Sequence, residues 1–231
     1  MSDLTPLELL TELPRHVDIS CVQAQHGRAE IDALAEEARR GNFVAAHVLP
    51  GWVPVMRELL QGSTTATGSP VGFPSGGALL ATKLDEARQL LDVGVQELDV
   101  VINVGRLRSG DRAYLVDELA PIVREVDAAV PLRVILEVGY LTEEEIRMGV
   151  DAAIEAGVGW IKSATGWSGI PTTVDHMRII ADEARGRARL KAAGGIRDLP
   201  TIRAMAELGV ERFGINATFA AQLASEASSG S

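Results

Sequence analysis

The run Gly159-Trp160-Ile161-Lys162-Ser163-Ala164-Thr165-Gly166 places one lysine in an apolar, strand-like stretch that ends on glycine. An ammonium in an apolar interior must find a partner or lose its proton, and lysine does the second readily. A desolvated lysine is then a neutral nucleophile able to form a Schiff base with a carbonyl, whereas a guanidinium stays charged. Of the 22 basic residues only Lys83, Lys162 and Lys191 are lysine, so the other 19 are arginine. Where any cation would serve, this chain uses arginine, and its lysines therefore point to amine chemistry. Lys191 stands in a second apolar run, Arg189-Leu190-Lys191-Ala192-Ala193-Gly194-Gly195. Asp99 interrupts a third, and Arg133 and Glu137 a fourth. The competing reading sets Lys162 at a strand end with its ammonium reaching solvent along the stem.

The elements that must position these groups follow from an alternation of strand and helix patterns. Strands are predicted over Val17–Val22, Phe43–Leu49, within Ser63–Phe73, over Glu97–Asn103 and Leu132–Val138, through the Lys162 stretch, in the run from Lys191 to Gly195, and over Arg212–Asn216. Helical periodicity covers Arg28–Arg40, Val53–Leu60, Leu79–Val93 and Asp111–Ala129, follows the capping box Thr142…Glu145, and resumes from Thr172, Asp198 and Thr218. A short N-terminal helix is predicted from Thr5 to Leu13, with Thr5 as cap, Pro6 in the first turn and Glu8 three residues after the cap. The tail from Ala224 is expected to fray. Eight strands, each followed by a helix and without a linker between them, predict an α/β fold: one (β/α)₈ TIM barrel over residues 1–231. A doubly wound open sheet would need a Gly-x-Gly-x-x-Gly turn after the first strand, and none stands there.

In such a barrel, charged strand residues share one interior and sites open at the C-terminal ends of the strands. Asp99, Arg133, Glu137, Lys162 and Lys191 are therefore expected to converge. A second ammonium beside the first favours the neutral amine by like-charge repulsion, and a carboxylate such as Asp99 relays protons. Two lysines and an aspartate make the constellation of a class I aldolase, which needs no metal and no other cofactor. The structural alternative pairs Asp99 with Lys191 and Glu137 with Arg133, tying the barrel layers together; buried pairs of that kind stabilise little. Gly166, Gly194, Gly195 and Gly214, each after a strand, would let backbone N–H groups close on an anion, although glycine there is also ordinary turn chemistry.

Composition narrows the partners. With 22 basic against 32 acidic residues the net charge is −10, which argues against nucleic acid and anionic membranes. A small-molecule substrate is expected, and any phosphate on it must be held locally. The single cysteine, Cys21, excludes an intrachain disulfide and reads as a small buried hydrophobe. His16, His26, His47 and His176 show no metal-ligand spacing, so no metal is expected. The start Met1-Ser2-Asp3-Leu4-Thr5 lacks the pattern of a secretory leader, and a cytoplasmic location is the expectation.

The order of motifs resembles the deoxyribose-phosphate aldolase family. It is carried by Glu97-Leu98-Asp99-Val100-Val101-Ile102-Asn103-Val104-Gly105, Ile135-Leu136-Glu137, Ile161-Lys162-Ser163-Ala164-Thr165-Gly166 and Lys191-Ala192-Ala193-Gly194-Gly195-Ile196-Arg197, and extends from about Val17 to Ala220. The resemblance implies a metal-free class I aldolase barrel, monomeric or homodimeric, that cleaves 2-deoxyribose 5-phosphate to acetaldehyde and glyceraldehyde 3-phosphate. By position Lys162 resembles the Schiff-base lysine, Asp99 the proton-relay aspartate and Lys191 the lysine that favours the neutral form of the first. The phosphate-side candidates are Thr165, Gly166, Gly194, Gly195, Gly214 and Asn216. The chain departs from the family where Lys-Thr-Ser-Thr-Gly becomes Lys162-Ser163-Ala164-Thr165-Gly166, where Gly-x-Ser-Ser becomes Gly214-Ile215-Asn216-Ala217, and where the second-strand cysteine becomes His47. Two lost hydroxyl donors to a phosphate cost about 1.5–3 kcal/mol each unless the Asn216 amide replaces one. Two alternatives follow: the same mechanism on a different or unphosphorylated aldehyde, and a silent sugar-phosphate binding barrel.

Overall fold

Eight strands pair in sequence order and close into a parallel barrel in a computed structural model that describes residues 5–126 and 128–229. They are β1 (Val17–Cys21), β2 (Ala45–Val48), β3 (Ala66–Val71), β4 (Glu97–Val101), β5 (Leu132–Ile135), β6 (Trp160–Lys162), β7 (Arg189–Ala193) and β8 (Val210–Asn216). The helices are α1 (Pro6–Thr11), α2 (Arg28–Gly41), α3 (Val53–Leu59), α4 (Leu80–Asp92), α5 (Val104–Arg108), α6 (Arg112–Glu125), α7 (Glu143–Glu155), α8 (Val174–Ala184), α9 (Leu199–Glu207) and α10 (Ala217–Ser229). The architecture is the expected TIM barrel, with α1 in front of it and the Thr5/Glu8 capping box formed.

The strands are buried on both faces, but the two faces differ in chemistry. Ile19, Val48, Leu98, Val100, Val134, Ile161, Leu190 and Phe213 belong to the hydrophobic core that packs beneath the helices. The residues that alternate with them, Asp18, His47, Glu97, Asp99, Arg133, Lys162, Lys191 and Arg212, carry the charge. Because side chains alternate along a strand, a two-residue spacing such as Glu97 and Asp99 puts both carboxylates on the inner face of the closed sheet. What reads in sequence as interrupted apolar runs is thus a greasy outer layer around a polar interior.

Several boundaries differ from the pattern reading, each for a local reason. β5 stops at Ile135, and Glu137 adopts a left-handed conformation with φ 62° that turns the chain into a short 3₁₀ turn at Val138–Tyr140. A non-glycine residue held there is strained, which requires compensating contacts. β6 keeps only three residues of the predicted run, and just past it the Ser163 hydroxyl donates to the Ala193 carbonyl at 3.0 Å. The helix expected from Thr172 starts at Val174 with Thr173 as cap, and Thr172 is buried with its hydroxyl on the Ala193 carbonyl at 2.6 Å. The tail expected to fray from Ala224 instead continues α10 to Ser229; the helix buries Leu223 and packs Ala224 and Ala227 against the core. Residues 230–231, and residues 1–4 of the start read for a leader, lie outside the described residues. No helix among the described residues is long and apolar enough to cross a membrane.

The third lysine, Lys83, is structural. It is fully buried under α6, where its Nζ donates to the Val101 carbonyl at 2.8 Å and lies 3.0 Å from Glu118. This pair ties α4 and α6 to the C-terminal end of β4. Burial lowers the Lys83 pKa and raises that of Glu118, as expected when desolvation outweighs mutual attraction. Lys83→Met should therefore strand a buried carboxylate and cost about 3–5 kcal/mol in urea unfolding, while Lys83→Met with Glu118→Leu should recover most of it. A single variant within about 1 kcal/mol of wild type would show that the pair is not the strut described here.

Candidate active site

Strand register brings the charged side chains together. Lys162 on β6 stands beside Lys191 on β7, Lys191 beside Arg212 on β8, and Asp99 on β4 beside Arg133 on β5. A register shift at Leu190/Lys191 in the β7–β8 pairing sits next to these residues, a common device for re-aiming a side chain beside a site. Gly214 faces the same place: a Cβ there would come within 2.9 Å of Ala193 and 3.8 Å of Lys191 Cε.

Asp99 is the meeting point. Its Oδ2 accepts hydrogen bonds from Lys162 at 2.8 Å and Lys191 at 2.9 Å, and its Oδ1 accepts from Arg133 at 3.2 Å. A second tier lies beside it. Asp18 lies 2.5 Å from Lys191 and is paired with Arg212, and Glu97 lies 2.9 Å from Arg133 and 3.1 Å from Arg212. Asp18, Glu97 and Arg212 are the members that motif reading left without a role; the legible signal was a charged residue inside an apolar strand. Arg133 pairs with Glu97 and Asp99, not with Glu137, because the left-handed turn carries Glu137 past the barrel interior. Glu137 accepts instead from the Thr165 N–H at 3.2 Å and from the Thr165 hydroxyl, bracing the turn that follows Lys162.

Burial makes these charges matter. On its own it would raise the Asp99 pKa, but the charges of Lys162, Lys191, His47 and Arg133 outweigh it and hold the carboxyl well below the usual range. Asp18 is held low in the same way, chiefly by Arg212 and Lys191. For Lys191 burial wins over Asp18 and Asp99, with Lys162 and Arg133 adding repulsion, and its pKa falls to about 8. The two lysines differ in access: the Lys162 side chain is 12% exposed and that of Lys191 1%.

A cavity of about 170 Å³ opens over this cluster, lined by the catalytic candidates Lys162, Asp99 and Lys191 together with all six phosphate-side candidates. Its rim includes Phe73, whose ring meets Trp167 edge to face at 5.5 Å, while the Trp167 indole N–H donates to the Val22 carbonyl across the mouth at 3.0 Å. Asp18, His47 and Glu97 offer ligand atoms within 4.8 Å of one another, but both carboxylates are already matched by Lys191, Arg133 and Arg212. A cation there would have to displace them.

No family model matches the chain. A deoxyribose-phosphate aldolase from Klebsiella pneumoniae subsp. pneumoniae is 46% identical over 217 residues, covering 93% of this chain and 87% of the relative. One from Sinorhizobium medicae is 47% identical over 213 residues, covering 92% and 86%. The chain belongs to the deoxyribose-phosphate aldolase family. A solved structure described as QR15, an aldolase, superposes with a TM-score of 0.84 at 31% identity over 98% of this chain and 96% of that one.

Of the positions where the chain departs from the family motifs, Asn216 and Ala217 stand at the rim, whereas Ser163, Ala164 and His47 are buried. The Thr165 hydroxyl is spent on Glu137, so it has no proton left to donate to an anion. Asn216 accepts from the Thr218 N–H through Oδ1 at 3.0 Å, which leaves its amide NH₂ as the donor facing the cavity side.

The Lys191 shift has a measurable sign. Its folded-state pKa of about 8 lies below the ordinary 10.5, so between those values the unfolded chain binds more protons and stability rises with pH. The difference in unfolding free energy between wild type and Lys191→Met should therefore move in favour of wild type by about 3 kcal/mol from pH 8 to 10.5. A flat difference over that window would show that the buried amine is not depressed.

Proposed function

We propose that this chain makes and breaks a carbon–carbon bond through a Schiff base on Lys162, converting 2-deoxy-D-ribose 5-phosphate to acetaldehyde and D-glyceraldehyde 3-phosphate. The observation that carries this reading is two amines sharing one carboxylate oxygen, with the more exposed of them, Lys162, at the cavity. Charge counting explains why a neutral amine belongs there. Asp18, Glu97 and Asp99 supply three negative charges, against four positive ones on Arg133, Arg212, Lys162 and Lys191. Neither guanidinium can lose a proton, so the interior balances when one lysine does. Lys162 attacks the sugar aldehyde, and Asp99, bonded to both amines, passes protons between them as the carbinolamine forms and loses water. Lys191 remains the buried partner whose charge favours the neutral nucleophile.

For the phosphate, Gly166, Gly194 and Gly195 have φ of 82°, 94° and 77°, the left-handed turns in which successive N–H groups can cup an anion. Asn216 adds one amide donor, and Ala217 none. That thinner grip, with Thr165 committed to Glu137, favours a second reading in which the acceptor is a different or unphosphorylated aldehyde.

Borohydride should trap acetaldehyde on wild type and not on Lys162→Arg, whose turnover should fall below about 1% of wild type; a variant retaining more overturns the Schiff-base assignment. Asn216→Ser with Ala217→Ser should raise kcat/KM for deoxyribose 5-phosphate by roughly tenfold, worth about 1.4 kcal/mol, and do little for deoxyribose. Equal effects on both sugars would move the phosphate away from this corner.

A further inference from the structure

We propose that Trp167 is a positioning residue that sets the size of aldehyde admitted to Lys162; the proposal rests on the Lys162 reading above. Its contacts tie together three parts of the cavity rim. The indole N–H donates to the Val22 carbonyl, just past β1, at 3.0 Å, and the ring meets Phe73, just past β3, edge to face at 5.5 Å. The Trp167 backbone N–H donates to the Thr165 hydroxyl oxygen, just past β6, at 2.9 Å. Val22, Phe73 and Thr165 all line the cavity. In the closed barrel β1, β3 and β6 are not neighbours, so no strand ladder fixes the spacing of these three rim residues. Trp167 does.

The arm that carries the indole is seated firmly. Thr165 is bonded through both its N–H and its hydroxyl to Glu137, which the fold holds in a left-handed turn at φ 62°. The rest of segment 163–171 packs closely on its neighbours: a Cβ at Gly139 would come within 2.7 Å of Ile170, and one at Gly195 within 2.7 Å of Pro171. Thr172 ends the arm with its N–H on the Gly194 carbonyl at 2.9 Å. Glu137, which takes no part in the amine chemistry, thereby has a role: it braces Trp167 through Thr165, and those contacts compensate its strained turn.

Phe73 separates two spaces of different size. The cavity over Lys162 holds about 170 Å³, below the about 300–1,000 Å³ of ordinary ligand clefts. Phe73 also lines a second, open cleft of about 710 Å³ with Pro50, Gly72 and Ser75. Its ring is therefore a partition, and Trp167 packs against it. A small aldehyde such as acetaldehyde reaches the Lys162 amine with the partition in place, whereas an aromatic aldehyde needs the partition to move. Without the indole the Phe73 ring is free to turn toward the open cleft. The cavity then widens on that side with no change at Lys162, Asp99 or Lys191.

The test is competition between acetaldehyde and benzaldehyde for reductive trapping by cyanoborohydride, with ethyl and benzyl adducts on the Lys162 peptide measured by mass spectrometry. Trp167→Ala should raise the benzyl-to-ethyl ratio about tenfold over wild type. Trp167→Phe, which keeps a ring against Phe73 and loses the bond to Val22, should raise it about threefold. Phe73→Ala, which removes the partition itself, should match Trp167→Ala, and the double variant should exceed either by no more than about twofold, because both act on one wall. A change that only loosened the fold would lower both adducts and leave the ratio flat. A Trp167→Ala ratio within about twofold of wild type overturns the proposal, as does a double variant whose effect is the product of the two singles. If Trp167→Ala does not fold, Trp167→Phe decides, and a flat ratio there overturns it. A wild type with no ethyl adduct on Lys162 overturns the Schiff-base reading, and this proposal with it.

Discussion

Asp99 is a carboxylate with no exposure to water that must answer three cations at once, and the barrel interior is arranged around that demand. A lone buried carboxylate would take up a proton; a lone buried ammonium would give one up. Set between Lys162, Lys191 and Arg133 the carboxylate stays ionised, and the cost of burying it passes to the lysines. That transfer falls on Lys191, which is more enclosed and shows the depressed pKa of about 8. The second tier of Asp18, Glu97 and Arg212 then fixes how much positive charge the set can hold. One pair of opposite charges would have settled into a static ion pair. Four cations against three carboxylates leave the set with one positive charge in excess.

The same residue type does opposite work in two places. Lys83 and Lys191 are both buried, yet Lys83 does not line the cavity and is held by the Glu118 carboxylate and the Val101 carbonyl as a strut between helices. Lys191 lies under a cavity beside another amine. Burial alone therefore does not mark a reactive lysine; what distinguishes the site is a second cation of the same kind on the neighbouring strand. The chain's sparing use of lysine agrees only in part, since Lys162 and Lys191 meet at the cavity while Lys83 is a buried strut.

Much of this was legible in sequence for a physical reason. Strand periodicity and capping residues are local, so the eight strands, the Thr5 and Thr142 boxes and the charged interruptions at Asp99, Lys162 and Lys191 could be read directly. Pairing choices are not local. Arg133 and Glu137 lie four apart on one predicted strand, and nothing in that spacing reveals the left-handed residue that separates them. Glu97 and Arg212 meet across 115 residues, a contact fixed only when the barrel closes. Thr165 shows the same limit, for its hydroxyl could face a ligand or a neighbour, and the turn at Glu137 decides it.

The distribution of departures within the family then has a structural logic. Interior residues are coupled: each carboxylate touches at least two cations, so changing one alters the charge balance of all. Rim residues are coupled to loops rather than to that charge set. Asn216 answers to Thr218, and Trp167 answers to Val22 and Phe73. Substitutions at the rim can therefore retune what enters the cavity without disturbing the amines beneath it. Ser163, Ala164 and His47 are buried departures, and His47 faces Asp18, Glu97 and Asp99 together. It replaces a small side chain with a ring, and the fold accommodates it through the glycine at 68 opposite. A change at His47 touches three carboxylates at once, whereas a change at Asn216 on the rim touches only its own loop.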